Sequence, residues 1–389
     1  MREHAGIPAE TQLESTHARF AARRAAGAVD WDAELGAWAA VRHAEVKRVL
    51  SDWEGFSSAR AASPTGFRPS LITTDPPRHR ALREVVAKAF TPRAVAALEP
   101  RIQTVAADLL ERACHRDTFD LVADFAHPLP VIVIAEMLGV PVSDRPLYRR
   151  WADAILGGGG SRLLLGAPPT TEGLRARDEM DAYFADACRQ PGRGERDDLL
   201  GALLAGRDGD VGLTGEEILA FCSLLLLAGH ITTVNLITNA AFCLLGHPGR
   251  LSEVAVDRTL VPDTVEEVLR YMSPVQGLSR IATEPVELGG VKIEEGERVV
   301  AWIAAANRDE RVFADPDRFD IRRRPNPHLA FGMGIHFCLG APLARLETRI
   351  ALDALLDPLV HLRASRAEPP ELSATGTLMG FSRLVVEAA

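Results

Sequence analysis

Helical periodicity dominates the pattern of apolar and polar positions along the chain. Apolar residues recur at every third or fourth position, as in helices with one buried face, and they predict helices over residues 93–114, 129–138, 178–189, 264–272 and 343–356. Strand patterns are short and few. They predict strands over 38–41, 298–304 and 384–387, and a hairpin over 286–293 that turns on Gly289 and Gly290.

Residues 218–245 contain no Asp, Glu, Lys or Arg, and a run of this length could span a lipid bilayer. The run nevertheless holds polar side chains such as His230, Asn235 and Asn239, and it is preceded by Glu216 and Glu217 rather than by basic residues. We therefore interpret it as a buried central helix that is surrounded by other helices.

These patterns predict a mainly α fold with a small β part. Loops are expected at 59–74, 157–171 and 190–198, where glycine, proline and polar residues cluster. Neither a repeat nor a change of composition marks a boundary, so we expect residues 1–389 to form a single domain.

Composition and charge exclude several classes of protein. The chain has 44 Lys and Arg against 53 Asp and Glu, a net charge of −9, which argues against a nucleic-acid or anionic-membrane surface. Five separate cysteines without a C-x-x-C pair argue against a disulfide framework or a zinc finger. The first residues show no apolar segment, so we expect no secretory signal or anchor and a cytoplasmic protein.

The segment 331–340, with the sequence FGMGIHFCLG, holds the most informative cysteine of the chain. A lone cysteine with apolar neighbours is usually an inert core residue. Around Cys338, however, glycines allow a close approach of the backbone, and a helix with Pro342 in its first turn begins just after it, where a thiolate is favoured. A single protected thiolate fits an axial metal ligand better than a nucleophile or a redox pair.

The same segment resembles the haem-binding loop of the cytochrome P450 family, F-x-x-G-x-[HR]-x-C-x-G, at every fixed position. The resemblance extends over nearly the whole chain and is to soluble bacterial members. It implies the cytochrome P450 fold, with the central helix above a haem b (iron protoporphyrin IX). It also implies that Cys338 binds the iron and that Phe331, Gly332 and Gly340 contact the cofactor.

Further motifs follow in the order that the family has. Glu267 and Arg270 resemble its E-x-x-R pair, and the match of residues 313–319 implies Arg318 as the third, cationic member of a structural triad. The alternative for the pair is an ordinary helix ion pair. The resemblance also implies four residues that bind the haem propionates, for which the alternative is a solvated surface cation: His79, Arg83, Arg280 and His336.

The central helix carries AGHITT at residues 228–233, which resembles the family pattern A-G-x-[DE]-T-T except at Ile231. The match implies that Ala228 and Gly229 leave room for O2 and substrate. It also implies that Thr232 holds a local widening of the helix and relays protons. Ile231 cannot relay a proton, which leaves ordered water, a substrate hydroxyl or a reaction that needs fewer protons. His230 is more typical of a satisfied core histidine than of a substitute acid. The variant also resembles members that tailor macrolides and other secondary metabolites.

The regions that contact substrate in the family map onto apolar residues and predict a largely apolar cavity. They are Leu224, Leu227, Val275, Leu278, Leu378, Met379 and Phe381. No flavin or iron–sulfur motif is present, so the resemblance implies electrons from a ferredoxin and ferredoxin reductase, with docking near Cys338 and Arg345. We expect neither a nucleic acid nor a membrane as partner.

The sequence thus favours a haem-thiolate monooxygenase that hydroxylates or epoxidises a mostly apolar small natural product, polyketide-like or macrolide-like. Two alternatives stay open. One is a non-insertion oxidation, such as C–C or C–O coupling, desaturation or peroxide-driven chemistry. The other is a P450-like module that only binds a ligand or recruits a partner.

Overall fold

The fold is described from a computed structural model, in which residues 8–59, 70–156, 170–207, 212–373 and 377–389 are described. Helices provide most of its architecture. They are α1 (Ala9–Ala26), α2 (His43–Ser51), α3 (Arg78–Ala87), α4 (Pro92–Ala97), α5 (Glu99–Cys114), α6 (Pro128–Leu138), α7 (Arg145–Leu156), α8 (Thr171–Arg189), α9 (Leu199–Arg207), α10 (Gly215–Leu245), α11 (Pro248–Val256), α12 (Val261–Tyr271), α13 (Ile303–Ala306) and α14 (Ala341–Leu359).

The uncharged segment forms α10, the central helix, as the sequence predicts. By length and composition α10 could cross a membrane. In this structure it instead packs against α6, α8, α12 and α14, and polar side chains such as Thr238 and Asn239 are fully buried on it. It is therefore a core helix of the fold.

The start of α10 is fixed by a capping box. The Thr214 hydroxyl accepts a hydrogen bond from the Glu217 N–H at 3.1 Å, and the Glu217 carboxylate accepts one from the Thr214 N–H at 2.9 Å. The same carboxylate binds the Arg78 guanidinium, with Nε 2.7 Å from Oε1. This contact joins the start of α3 to the start of α10.

The other predicted helices are present with different ends. The predicted helix 93–114 is two helices, α4 and α5, because Pro100 lies in the first turn of α5 and cannot continue a helix from α4. The helix predicted over 178–189 begins earlier, at Thr171, where Thr170 caps it. The helices predicted over 129–138, 264–272 and 343–356 correspond to α6, α12 and α14, in that order, with ends that differ by a few residues.

The strands are short, as predicted, and lie in small sheets. They are β1 (Val29–Asp32), β2 (Ala37–Ala40), β3 (Phe56–Ser57), β4 (Thr118–Asp120), β5 (Leu278–Ala282), β6 (Val286–Leu288), β7 (Val291–Ile293), β8 (Arg298–Ala301), β9 (Leu362–Ala364), β10 (Glu371–Leu372), β11 (Phe381–Arg383) and β12 (Val385–Ala388). The largest described sheet has the order β1-β2-β8-β5-β3, in which β2 and β8 are parallel. Elsewhere β12 lies between β4 and β9, and β10 pairs with β11.

Two strand predictions show how local sequence decides the outcome. The predicted hairpin is confirmed as β6 and β7, and Gly289 and Gly290 take the positive φ angles, +58° and +80°, that its turn requires. The strand predicted over 298–304 ends at Ala301, because an alanine-rich segment then forms the short helix α13.

Candidate active site

The loop that carries Cys338 is held in shape by glycines and by its own backbone. Gly332 and Gly334 have φ angles of +71° and +70°, which favour glycine. A Cβ atom on Gly334 would also lie 2.8 Å from Cα of Ser51. The Cys338 N–H donates a hydrogen bond to the Phe331 carbonyl at 2.9 Å. These contacts place the sulfur at a defined position just before α14.

Cys338 is half-buried, and its surroundings shift the pKa of its thiol in opposite directions. Burial raises the pKa of this thiol, while the N–H groups of Gly340 and Ala341 and the cations of Arg83 and Arg345 act in the opposite direction. The start of α14 thus lowers the pKa of the thiol, as predicted, but burial raises it by more. The thiol therefore keeps its proton until a cation binds. Within the described part of the chain, no three His, Cys, Asp or Glu side chains form a metal cluster.

Two imidazole rings lie side by side near this loop. His79 on α3 and His336 contact each other edge to face, with ring centroids 4.5 Å apart, and both side chains are largely buried. Nε2 of His79 is buried and has no hydrogen-bond partner among the described residues, whereas the buried Nε2 of His336 lies 3.7 Å from a carboxylate oxygen of Asp75. Because a buried nitrogen without a partner is costly, His79 is suited to bind an acceptor group such as a carboxylate.

Asp75 is an acidic neighbour of these rings that the sequence analysis did not select. Its carboxylate accepts hydrogen bonds from the Ser57 hydroxyl and from the Ser58 N–H, and its Oδ1 lies 3.7 Å from Nε2 of His336. Burial alone would raise the pKa of Asp75, but its partners, His336 among them, lower it to about 2. Its position four residues before His79, just ahead of α3, was the available signal.

The charge of the two histidines depends on what binds them. Burial lowers the pKa of His79 to about 4, and His336 and Arg83 act in the same direction. Burial also lowers the pKa of His336, against the opposing effect of Asp75. Both rings are therefore neutral at pH 7 in this structure. A ligand with carboxylates would favour their protonated forms.

The two predicted arginines lie around the same loop. Arg83 donates to the carbonyl of Ile335 at 3.0 Å and to the carbonyl of Phe337 at 2.8 Å, so it ties α3 to the loop. Arg280 on β5 is buried and is close enough to His336 to contribute to its lowered pKa. This set fits the haem that the resemblance implies, because it combines one thiol with two buried imidazoles, of which His79 has no partner at Nε2 among the described residues, and with the buried guanidinium of Arg280.

The predicted triad needs one correction. Glu267 and Arg270 form a buried, bidentate ion pair with both hydrogen bonds at 2.8 Å. The third cation is Arg323, whose Nε lies 3.3 Å from the Glu267 carboxylate. Arg318 is exposed, and only its backbone carbonyl takes part, as an acceptor for Arg270 and Arg323. The prediction of Arg318 was wrong because this carbonyl faces the cluster while the side chain remains in solvent.

On α10, the two threonines of the AGHITT segment bind carbonyls of their own helix. Thr232 Oγ1 donates to the Ala228 carbonyl at 2.8 Å, and Thr233 Oγ1 donates to the Gly229 carbonyl at 3.2 Å. This described stretch of α10 is regular, without the widening that the resemblance implied. A Cβ on Gly229 would lie 3.3 Å from Cδ1 of Ile134, so this glycine allows α10 to pack closely on α6.

His230 is a core histidine in this structure. It is buried, its Nδ1 lies 2.7 Å from the Leu226 carbonyl, and its ring contacts that of His127. Burial lowers its pKa to about 4. It therefore carries no proton to donate as an imidazolium at neutral pH, which agrees with the sequence-based interpretation.

The predicted pocket residues are apolar and divide into two groups. The half-buried ones are Leu224, Leu227, Val275 and Leu278. Leu378, Met379 and Phe381 are buried, and Leu378 pairs with Val275 through an isolated bridge. Of the loops predicted at 59–74 and 157–171, residues 60–69 and 157–169 lie outside the described residues.

Comparison with known proteins agrees with this geometry. The profile of the family described as "Cytochrome P450" matches residues 175–379. The chain is 40% identical to the cyclomarin C epoxidase CymV of Salinispora arenicola over 82% of each chain. It is also 40% identical to the erythromycin C-12 hydroxylase of Saccharopolyspora erythraea, over 86% of this chain and 85% of that one.

Solved structures give the same result. The crystal structure of CYP109E1 from Bacillus megaterium in complex with testosterone superposes with a TM-score of 0.90 at 38% identity, and the match covers 97% of this chain and 99% of that chain. At this level of similarity, both the fold and the family are shown. The chain therefore belongs to the cytochrome P450 family and is a haem monooxygenase.

Proposed function

We propose that this monooxygenase hydroxylates or epoxidises a mostly apolar natural product of the polyketide or macrolide type, with O2 and with electrons from a ferredoxin. The observation that supports this most is the position of Cys338 at the start of α14, in the loop that also carries His336, whose ring packs against His79, a buried histidine with no hydrogen-bond partner at Nε2 among the described residues. We take the cofactor to be haem b, and the chain to be a single cytoplasmic domain.

Each residue around the loop then has a part in holding the cofactor. The Cys338 thiolate binds the iron, and His79, His336 and Arg280 supply positive charge and donors for the two propionates. Arg83 holds the loop through two carbonyls and so fixes the sulfur. When bound, the haem supplies the activation of O2 and the transfer of one oxygen atom, which thiolate ligation favours.

The residues on α10 would handle the protons of the reaction. Thr232 holds a proton on Oγ1, which it donates to the Ala228 carbonyl at 2.8 Å. A hydroxyl bound in this way can rotate and donate to a group in front of the helix. Ile231 supplies no proton, so Thr232 must receive its replacement from water, from a substrate hydroxyl or from another acid.

The substrate class is supported by the pocket and by the relatives. The half-buried side chains at Leu224, Leu227, Val275 and Leu278 are all apolar. The two named relatives are an epoxidase of cyclomarin C and a hydroxylase of erythromycin. We therefore expect a substrate of this size and character.

We propose that the ferredoxin docks on the surface near Cys338 and Arg345. This ferredoxin takes electrons from NAD(P)H through its reductase. Arg345 lies there, paired with Glu266 at 2.6 Å and stacked over the Phe331 ring. A cavity of about 320 Å³ between α4, α12 and α14 adjoins this pair. The sequence holds no flavin or iron–sulfur motif, so a reaction driven by O2 would take its electrons from such a donor.

One observation favours a second candidate within the same family. Ile231 occupies the position of the usual acid, which weakens proton delivery. A peroxide-driven oxidation would tolerate this residue better than oxygen insertion from O2, because hydrogen peroxide brings its own two protons. Coupling and desaturation stay open as further non-insertion outcomes.

The carbon monoxide difference spectrum of the reduced, haem-loaded protein tests the proposal. We expect the Soret shift of a thiolate-ligated haem, and we expect Cys338→Ser to lose it. Cys243→Ser is the matched control, because Cys243 is a buried cysteine on α10 away from the loop. A protein that takes up no haem, or a shift that survives in Cys338→Ser, would contradict the proposed site.

Product analysis separates the two candidate reactions. With ferredoxin, its reductase, NAD(P)H and a macrolide that displaces the iron-bound water, we expect a product heavier by one oxygen atom. A product that loses hydrogen or joins two carbon atoms would favour the second candidate instead.

A further inference from the structure

Asp75, a half-buried residue just before α3, holds three separate segments of the chain together. Its backbone carbonyl accepts a hydrogen bond from the His79 N–H at 3.1 Å, in the first turn of α3. Its carboxylate binds the end of β3 and lies 3.7 Å from Nε2 of His336 in the cysteine loop. The roles assigned above to the cofactor site do not include this carboxylate.

The end of β3 uses most of the acceptor capacity of Asp75. The Ser57 hydroxyl and the Ala59 N–H donate to Oδ2, the latter at 3.3 Å, and the Ser58 N–H donates to Oδ1 at 3.1 Å. An ionised carboxylate can accept about four hydrogen bonds in all. One acceptor position therefore remains on Oδ1, which is the oxygen that lies 3.7 Å from Nε2 of His336.

The charge of this carboxylate needs an explanation. Asp75 is ionised at neutral pH, because its partners lower its pKa to about 2. A fixed negative charge is unfavourable beside a site that is to bind the carboxylates of haem, since like charges repel. The charge is explained if Asp75 orients a ring that binds the cofactor.

The ring of His336 transmits its orientation to His79. The two rings pack edge to face, with centroids 4.5 Å apart and an angle of 67° between their planes. Both side chains are largely buried, and tightly packed rings of this kind do not turn independently. A carboxylate that fixes His336 therefore also fixes the direction of Nε2 of His79, which has no partner among the described residues.

We propose that Asp75 is a positioning residue of the cofactor site, which orients the ring of His336 and, through it, the ring of His79 toward a haem propionate. Asp75 itself does not touch the cofactor, because its negative charge keeps the propionate away from its own side of the rings. This inference rests on the function proposed above, which assigns the two histidines to the propionates.

Replacement of Asp75 by asparagine separates this role from simple support of β3. Asparagine has nearly the same shape, and its amide oxygen can still accept from the Ser58 N–H. Its amide nitrogen can donate to the Ser57 hydroxyl, since a hydroxyl accepts as well as donates. Asp75→Asn therefore keeps the local fold and removes the negative charge beside His336.

The test measures two properties of the haem-loaded protein without substrate. They are the rate of haem transfer to apomyoglobin and the propionate bending band in the resonance Raman spectrum. We expect Asp75→Asn to shift the band and to speed haem transfer about tenfold, because the partners of cofactor-binding groups contribute on this scale. His336→Gln should change both properties, and adding Asp75→Asn to it should change them no further.

Asp257→Asn is the matched control. Asp257 is an exposed residue whose carboxylate accepts from the N–H and the hydroxyl of Thr259, so it resembles Asp75 in its bonds but lies in another part of the chain. We expect it to leave the band and the transfer rate unaltered. An unaltered band and rate in Asp75→Asn would overturn the proposal. So would an equally large effect of Asp75→Asn in the His336→Gln protein, because Asp75 would then act without His336.

The carbon monoxide difference spectrum distinguishes a failure of this inference from a failure of the proposed function. A thiolate-type spectrum in Asp75→Asn, together with unaltered haem transfer and an unaltered band, overturns the role of Asp75 alone. An unaltered protein that takes up no haem overturns both.

Discussion

Replacing Arg323 by alanine should destabilise the protein, whereas replacing Arg318 should not. The Arg323 side chain is 8% exposed and touches the buried carboxylate of Glu267. It also donates to backbone carbonyls, including that of Ala314 at 2.6 Å. Arg318 contributes its backbone carbonyl to this cluster, and Arg318→Ala keeps that carbonyl.

The magnitude follows from what remains after each change. In Arg323→Ala, Glu267 keeps its two bonds to Arg270 at 2.8 Å and the N–H of Asp320 at 2.8 Å, so no charge is left unpaired. The loss is about that of one charge-assisted hydrogen bond, roughly 1.5–3 kcal/mol. In Arg270→Ala, the main partner of the carboxylate is removed, and the loss should reach about 3–5 kcal/mol.

Urea unfolding of the haem-loaded protein measures this difference through the transition midpoints at unchanged slope. Arg318→Ala is the matched control and should lie within about 0.5 kcal/mol of the unaltered protein. Equal destabilisation by Arg318→Ala and Arg323→Ala would refute this assignment, because the side chain of Arg318 would then be the cation that pairs with Glu267.

Three further predictions concern the cofactor and its protons. Thr232→Ala should raise the share of NAD(P)H electrons recovered as peroxide, with Thr238→Ala unchanged; equal peroxide yields would remove the Thr232 hydroxyl from the relay. Glu347 on α14 is buried, and burial raises its pKa to about 8, so its contribution to the free energy of unfolding should fall as the pH rises from 4.5 to about 8, because the native state keeps a proton that the unfolded chain releases. Buried histidines such as His79 and His230, whose pKa values are lowered, act in the opposite direction at the acidic end, so the measurement is the difference in unfolding free energy between the unaltered protein and Glu347→Gln in urea at each pH; a difference that does not change with pH would show that Glu347 ionises normally. Arg83→Leu should speed haem transfer to apomyoglobin about tenfold by loosening the cysteine loop, while Arg80→Leu, an exposed change on the same helix, should not.

The parts of the fold that the sequence predicts are those with local signals. The absence of charge over 218–245 is enough to identify a core helix, and Gly289 with Gly290 is enough to identify a hairpin turn. The glycines of the cysteine loop belong to this class, because a positive φ at Gly332 and Gly334 depends mainly on the residue itself. Such features need no knowledge of what packs against them.

Contacts between distant segments could not be predicted in the same way. The choice between Arg318 and Arg323 depends on how one turn directs its carbonyls, and both residues are arginines at a plausible spacing. Asp75 likewise meets Ser57 and His336 only because three separate segments converge on it. For these side chains the sequence restricts the candidates, and the packing of the segments selects among them.

Ile231 bears on the proposed function through what it does not supply. An acid at position 231 would stand on the accessible side of α10, where the half-buried Ile231 instead adds apolar surface. Because an alkyl side chain cannot relay a proton, Thr232 must receive its replacement proton from another source, and water is the simplest one. A single substitution tests this: Ile231→Glu should change the solvent isotope effect on turnover if water now carries the protons, whereas an unchanged isotope effect would show that the relay does not pass position 231.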